Sequence, residues 1–429
     1  MKKRVLIISQ CFAPQNKIGA VRATKLTKYL LRMGYDVTVF AGKDRASVED
    51  PLLARDLEQM PDIHILRERS FLRWWAEHGT KAAPQPANGA TTTAPAKQRP
   101  LLNALYLYLD DRADAAFARA CIRKAKTMGR QYDVVLSSYG PLSVHTVARQ
   151  LKRMGIAKRW IADFRDEAAV PFAWQKGRLK RYNRMVEKHA DAITAVSAGY
   201  LRVMGLEGKG RVIYNGYDPE DIEMLAAPPK RTDKLTFVHC GQMYGAQRDL
   251  SPVFRAIAEL MEEGEISKSD VALAFAGRDT HGFVQQATQA GLDGCLEDHG
   301  FMPRDEALKL QQSSHVLLLP AWNLRDRQGN IPGKLLEYMM LKMPVVCCVS
   351  GDVEHSEIAG IMLETKIGIC YEQANAADDE PRLKAYLADC MRAFTRGEGM
   401  PFAPNTDAVA AFTSEGMARK MANIMEEWT

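Results

Sequence analysis

The sequence predicts an α/β protein of two Rossmann-like, doubly wound domains facing a cleft. Three observations carry that prediction. Short apolar runs of strand length alternate with stretches of helical periodicity along nearly the whole chain, the rhythm of a parallel sheet. That rhythm lapses near 217–234, where Pro228 and Pro229 stand among charged residues, and then restarts. The 429 residues suit two or three domains at roughly 100–200 residues each. The expected division is a first domain over 1–216, a second over 217–405, and a closing helical segment over 406–429.

In the first domain, residues 5–8 (Val-Leu-Ile-Ile) form a strand-length apolar run. A helix over 20–33 follows and Gly34 ends it; 37–40 and 63–66 read as further strands. Residues 81–100 are rich in Ala, Thr and Pro, cannot bury a core, and predict a mobile loop. Aromatic flanks border it: Phe71, Trp74 and Trp75 before, and 101–109 with Tyr106 and Tyr108 after. Then come strand 134–137, helix 142–154, strand 160–162, a basic helix over 176–190, and strands 192–196 and 212–214. The second domain reads as strand 235–239, helix 249–262, strands 271–276 and 296–299, helix 304–312, strand 316–319, helix 333–342 and strand 345–348. Residues 406–427 read as one amphipathic helix.

Composition narrows the functional classes only partly. A hydrophobic fraction of 46% and a charged fraction of 26% fit a soluble globular protein. The net charge of +6 suits phosphorylated small molecules, an anionic membrane surface or nucleic acid, without separating them. Eight scattered cysteines show neither CxxC nor zinc-like spacing, so reduced thiols and a cytoplasmic setting are expected. The apolar run after Lys2, Lys3 and Arg4 is too short for a signal core of about 7–15 residues, and reads as a first strand. No run approaches the roughly 20 apolar residues of a spanning helix.

Ligands of open α/β sheets bind beyond the carboxyl ends of the strands, so chemistry is expected in the loops after strands. Gly19 precedes the first helix, where a backbone can approach a phosphate; the plain alternative is a turn glycine. Neither GxGxxG nor GxxxxGK[ST] is present. Asp163, Phe164, Arg165 and Asp166 follow the 160–162 run and suit acid–base or hydroxyl-binding work, or else a local pair of Arg165 with Asp166. Gly241, Gly245 and Arg248 precede a helix, the arrangement that holds a diphosphate; alternatively Arg248 pairs with Asp249. The segment 329–337 is the most informative. Pro332 and Gly333 open a helix, Lys334 projects from its start, and Glu337 lies near the same face. The plain alternative is a Lys334–Glu337 pair at i, i+3. Asp110 and Asp111, His145 and His281 read as structural, and the basic helix as a solvated face with anionic lipid as its further option.

Taken in order, these residues resemble family 4 glycosyltransferases. The first half supplies Phe12, Ala13, Pro14, Gly19 and Arg22, then Gly34 to Val37, Ser138 and Pro141, the Asp163-Phe-Arg-Asp166 motif of one subgroup, and Asn215 to Asp218. The second supplies Gly241, Tyr244 to Arg248, Gly300, Phe301, Ile331 to Lys334, Glu337, Tyr338 and Pro344. The resemblance covers nearly the whole chain except about 70–105. It implies a GT-B fold, a last helix crossing back to the first domain, and transfer of a sugar from a nucleotide-diphosphate donor with retention and without a metal or other cofactor. By position it implies that Arg248 and Lys334 stabilise the departing diphosphate, that Glu337 bonds the donor ribose, that Gly300 and Phe301 border the base, and that Gly19 approaches phosphate or acceptor; the close approach that Gly333 allows is read from the residue itself.

Two departures stand out. Gly329 occupies the position of the first of two glutamates the family often spaces seven apart. Ser138 stands near the place of a frequent first-domain histidine and is expected to contact substrate. Asp163 and Asn330 are the expected substitutes, and Arg165 a further substrate contact. The expected partners are a nucleotide-sugar donor, a glycan or polyprenyl-linked acceptor in surface polysaccharide or glycolipid assembly, and an anionic membrane surface at the cytoplasmic face, but no nucleic acid. The last rests on the basic helix and on Arg69, Trp74, Trp75, Arg99 and Tyr106 around the loop. A sugar-nucleotide epimerase of the same fold and a non-catalytic partner subunit are the alternatives.

Overall fold

The computed structural model describes residues 3–42, 49–66, 100–167, 176–223, 228–244, 248–325 and 327–428, with the side chains of 18, 100–113 and 176 not described. Residues 81–99 of the expected loop, with Arg69, Phe71, Trp74, Trp75 and Arg99, lie outside the described residues, as do 245–247.

Two compact units emerge. The first comprises described residues within Met1–Val196, Met204–Ile213 and Ala418–Thr429; the second, those within Ser197–Val203 and Tyr214–Met417. Strands of the first are β1 (Arg4–Ser9), β2 (Asp36–Gly42), β3 (Ile63–Leu66), β4 (Tyr132–Ser138), β5 (Ala157–Phe164), β6 (Ala192–Ala195) and β7 (Gly210–Val212). They form one sheet in the order β3-β2-β1-β4-β5-β6-β7, and every pair is parallel. Its helices are α1 (Ile18–Arg32), α2 (Pro51–Glu58), α3 (Pro100–Met128), α4 (Ser143–Arg153) and α5 (Lys176–His189). The continuous apolar run of β1 is buried from Val5 to Ser9, because a parallel sheet carries helices on both faces.

The short helices α6 (Ala198–Met204) and α7 (Glu220–Glu223) lead into the second sheet. Its strands are β8 (Leu235–Cys240), β9 (Val271–Ala276), β10 (Leu296–Asp298), β11 (Val316–Trp322), β12 (Val345–Ser350) and β13 (Gly368–Glu372), ordered β10-β9-β8-β11-β12-β13 and again all parallel. The helices are α8 (Ser251–Glu262), α9 (His281–Gln289), α10 (Arg304–Ser313), α11 (Gly333–Leu341), α12 (Glu357–Thr365) and α13 (Ala376–Thr395). Apolar clusters fill both faces: Phe237, Phe254 and Phe275 lie in one, Val238, Leu317 and Tyr338 in the other.

Local chemistry sets the ends of these elements. Gly34 follows α1 at φ 92°, a left-handed conformation that glycine adopts at least cost. Asp50 caps α2 by accepting from the Leu52 and Leu53 N–H groups, with Pro51 opening the helix. The single helix expected over 406–427 is instead two, α14 (Thr406–Ala410) and α15 (Ser414–Glu426). Tyr217 explains the break: its N–H donates to the Phe412 carbonyl and its carbonyl accepts from the Ser414 N–H. The chain uses these groups for pairing rather than for helix. At the far end of α15, Lys3 Nζ donates to the Met425 carbonyl at 2.6 Å and Arg211 pairs with Glu427, both within the first unit.

In each sheet the strand order reverses direction once, between β1 and β4 and between β8 and β11. These reversals are the topological switch points where such sheets bind ligands.

Candidate functional site

At the switch point of the second sheet, the loop after β8 delivers Arg248. Its Nη1 donates to the Gln242 carbonyl at 2.6 Å, and the guanidinium lies 4.5 Å from the centre of the Tyr244 ring and 5.4 Å from that of Trp322. The two rings meet edge to face at 5.7 Å. Cation–π contact and the carbonyl fix the head group without a carboxylate. Asp249, the alternative partner, is engaged elsewhere: it accepts from the Ser251 N–H at the start of α8. Burial lowers the pKa of Arg248, yet a guanidinium keeps its charge.

The loop after β11 delivers Lys334 and Glu337. Pro332 sits at the N-cap of α11 and no side chain caps that helix. Lys334 Nζ lies 2.5 Å from Glu337 Oε1, so the i, i+3 pair does form. Burial would raise the Glu337 pKa, but the charges of Lys334 and Arg304 and a hydrogen bond from Gln311 hold it below the ordinary glutamate range. Gly333 faces open space where a Cβ would stand, so protein packing does not demand glycine there.

Arg248 and Lys334 both act on one buried ring. His239, on β8, holds the Leu318 carbonyl through Nδ1 at 3.0 Å. Burial pushes its pKa down to about 3, and the two cations push the same way. The loops that carry the two expected phosphate cations follow adjacent strands. Gly300 and Phe301 lie further along the sheet, after β10. Gly300 adopts φ 64°, its N–H bonded to Asp298 and its carbonyl to the Gly277 N–H. Phe301 is 65% exposed, with the Arg278 guanidinium 4.5 Å from its ring centre. Asn330 is half-buried in the loop after β11.

The structure explains Gly329. It adopts φ 77°, and a Cβ would stand 2.6 Å from the Gly199 Cα and 2.6 Å from the Ser197 Oγ. Two glycine backbones pack face to face, leaving no room for a glutamate. Nearby, Glu357 accepts from the Ala198 and Gly199 N–H groups and from the Tyr214 hydroxyl, which fixes the strip that Gly329 packs on.

The first unit corrects the expectations for Asp163 and Ser138. Asp163 lies within β5, not in the loop after it, and is wholly buried. Its carboxylate binds Arg22 Nε at 2.9 Å and Nη2 at 2.7 Å, and accepts from Thr194 at 2.7 Å. Burial alone would raise its pKa, but Arg22 and these bonds hold it low. A carboxylate so saturated is an internal counter-ion, not an acid–base group for a ligand. Ser138 is also wholly buried, 3.5 Å from Asp163. His145 lies inside α4, buried against Phe164 and Tyr182 and bonded to Ser137; burial pushes its pKa to about 3.

Arg165 does sit beyond the strand ends. It does not pair with Asp166. Its Nε donates to the Tyr139 carbonyl at 2.5 Å, and Nη2 lies 3.8 Å from Cys11 Sγ. A Cβ on Gly19 would stand 1.4 Å from Arg165 Nη1. The close approach that Gly19 permits in this structure is therefore to Arg165.

Sequence reasoning missed Tyr244 and Trp322 as the clasp on Arg248. Trp322 ends β11 beside the switch point, and that position was the available signal. It missed His239 and Gly199 because nothing local distinguishes a strand histidine or a helix-start glycine.

With this geometry in hand, residues 234–377 match the family model described as "Glycosyl transferases group 1". The matched third of the chain contains Arg248, Gly300, Phe301, Lys334 and Glu337. No curated protein matches the chain. Among solved structures, the chain is similar to the apo form of the lipopolysaccharide outer core galactosyltransferase WaaB (11% identity, 99% of this chain and 100% of that one, TM-score 0.58). It is also similar to sucrose-phosphate synthase from Thermosynechococcus elongatus (16% identity, 100% and 99% covered, TM-score 0.58). A third is the catalytic domain of starch synthase IV from Arabidopsis thaliana bound to ADP and acarbose (12% identity, 100% and 99% covered, TM-score 0.57). At these identities the likeness shows the fold: two Rossmann-like units of the GT-B type.

Proposed function

We propose that the chain is a glycosyltransferase that takes a sugar from a nucleotide-diphosphate donor held by the second unit. The observation that carries this is that the loops after β8 and β11, paired strands at the switch point, deliver Arg248 and Lys334, inside the segment that matches the glycosyltransferase model. The chemistry asks for little more. As the glycosidic bond to the donor breaks, charge accumulates on the leaving diphosphate, and fixed cations stabilise that charge most in the transition state. Arg248 is held in advance by Tyr244, Trp322 and the Gln242 carbonyl, so it loses little freedom on binding. Lys334 exchanges part of its contact with Glu337 for the phosphate, and Glu337 turns to a ribose hydroxyl. Gly333 leaves room for the phosphate against the helix start, and Phe301 offers an exposed ring to the base.

The reaction proceeds with retention and without a metal, since protein cations do the work of one. The acceptor is a glycan or lipid-linked saccharide. The exposed Lys180, Arg181, Arg184 and Lys188 of α5 suit an anionic membrane surface. Among the described residues, no helix is long and apolar enough to cross a membrane.

A thermal-shift screen against UDP, GDP, ADP and CMP identifies the donor nucleotide. Transfer assays then read the anomeric configuration of the product by NMR; an inverted product rejects retention. Flotation with anionic vesicles tests the surface of α5, and a protein that stays wholly in the soluble fraction at low salt rejects it.

A further inference from the structure

At the switch point of the first sheet, Arg165 is held in a way that a structural arginine does not require. Cys11 follows β1, Tyr139 and Gly140 follow β4, and Arg165 follows β5, so all four stand beyond the carboxyl ends of neighbouring strands. Two glycines admit the guanidinium. A Cβ on Gly19 would lie 1.4 Å from Nη1, and one on Gly140 2.5 Å from Nη2. Gly140 also adopts φ 99°, which an L side chain rarely does. The Tyr139 carbonyl fixes Nε and the Cys11 sulfur touches Nη2, a weak acceptor. Nη1 has no acceptor among the described residues.

Asp166 lies within electrostatic reach of Arg165 but makes no hydrogen bond with it. Asp163, two residues away, is consumed by Arg22 and Thr194. No carboxylate of the described residues pairs with Arg165. The guanidinium also lies against the first turn of α1, whose backbone dipole adds positive potential and whose start no side chain caps. A guanidinium held against like potential, with Nη1 lacking an acceptor among the described residues and Nη2 meeting only a weak one, is arranged for a further anion.

We propose that Arg165 binds an anionic oxygen group, a phosphate or carboxylate, carried by the glycosyl acceptor. Gly19 and Gly140 are positioning residues that hold the fork in place. The acceptor part of this inference rests on the glycosyltransferase reading; the anion site does not.

The test is isothermal titration of the full chain with inorganic phosphate. It is run in a Lys334→Ala background, so that the phosphate loops of the second unit contribute little. Phosphate affinity should fall at least tenfold when Arg165→Gln is added. It should fall less with Arg165→Lys, which keeps the charge and loses the fork. Gly140→Ala, which displaces the head group, should weaken phosphate as Arg165→Gln does. Unchanged phosphate affinity in Arg165→Gln, with an unchanged melting temperature, overturns the proposal. Nucleoside-diphosphate affinity, measured with Lys334 intact, should stay within twofold in Arg165→Gln; a matching tenfold loss there assigns Arg165 to the donor and also overturns the proposal. Two further probes separate the sources. A monosaccharide phosphate that gains over inorganic phosphate indicates a phosphorylated sugar, and a short-chain prenyl phosphate that gains indicates a lipid carrier. If neither gains, nor a uronic acid, the acceptor assignment fails. A failure of the donor reading would show separately, as nucleoside-diphosphate affinity indifferent to Lys334→Ala.

Discussion

The two units share a strand order, yet they handle charge at their switch points in opposite ways. In the first, the carboxylate at the end of β5 is buried with Arg22, and the next arginine, Arg165, is left open in a glycine cradle. In the second, the arginine is clasped by two aromatic rings, and the lysine is paired on its own helix. The first unit thus uses an ion pair as internal structure, while the second holds its half-buried cations on aromatic rings and on a helix start. Topology fixes where the loops gather, and the side chains decide which cations remain available.

The largest effect should come from breaking the internal pair. Asp163→Asn leaves Arg22 buried without its carboxylate and should cost about 3–5 kcal/mol of stability in urea denaturation. Nucleoside-diphosphate affinity should not change. A loss below about 1 kcal/mol would mean that the pair is dispensable.

The second unit should show the reverse split. Lys334→Ala should lower kcat about 10²–10³-fold, as expected for a group that stabilises a developing anion. The melting temperature should fall by less than the activity loss implies, because Lys334 is itself partly exposed and Arg304 still helps to hold the Glu337 carboxylate charged. A stability loss that accounts for the activity loss would contradict the role assigned to Lys334.

Gly329→Ala sharpens the contrast by testing packing rather than charge. A Cβ there meets the Gly199 backbone at a left-handed φ, so a destabilisation of roughly 2–3 kcal/mol is expected by calorimetry. A neutral result would show that the strip at Gly199 gives way readily.

A pH-dependent effect, absent at neutral pH, is shared by both units. His145 and His239 are each held near pKa 3 by burial, whereas in the unfolded chain an imidazole takes up its proton near pH 6.5. Below that pH the unfolded state binds more protons, so stability is full above pH 6.5 and falls as the pH drops toward 3. Each histidine contributes a slope of about 1.4 kcal/mol per pH unit, and His239→Gln should flatten the curve in that window. An unaltered slope would show that His239 does not remain neutral in the native state.

Much of this was legible in the sequence, for physical reasons that also mark its limits. Buried parallel strands are continuous apolar runs, so 271–276 could be located to the residue. A glycine or proline beside a helix start with a cation close by is the pattern expected of a phosphate loop, and it pointed to Arg248 and Lys334, which the structure places in loops after neighbouring strands. Position along a strand is harder to read. Asp163 appeared to follow its strand because polarity suggested a loop, but a buried arginine 141 residues away let β5 extend through it. Gly19 was legible as a glycine before a helix and Gly329 as a departure from the family's glutamate spacing; only the third dimension shows that one yields to Arg165 and the other to Gly199. The break at Phe412 depends on Tyr217, a partner no local window contains.

The claim that the second unit holds a nucleotide diphosphate through Lys334 and Arg248 is tested most directly by calorimetric titration of nucleoside diphosphates. Wild-type protein and the two alanine variants should be compared. One nucleotide should bind the wild type and, at 100 times its Kd, add about 2.7 kcal/mol of stability. Both variants should lose at least tenfold in affinity. Binding of equal strength in all three proteins, or no binding by any nucleotide, would contradict the account.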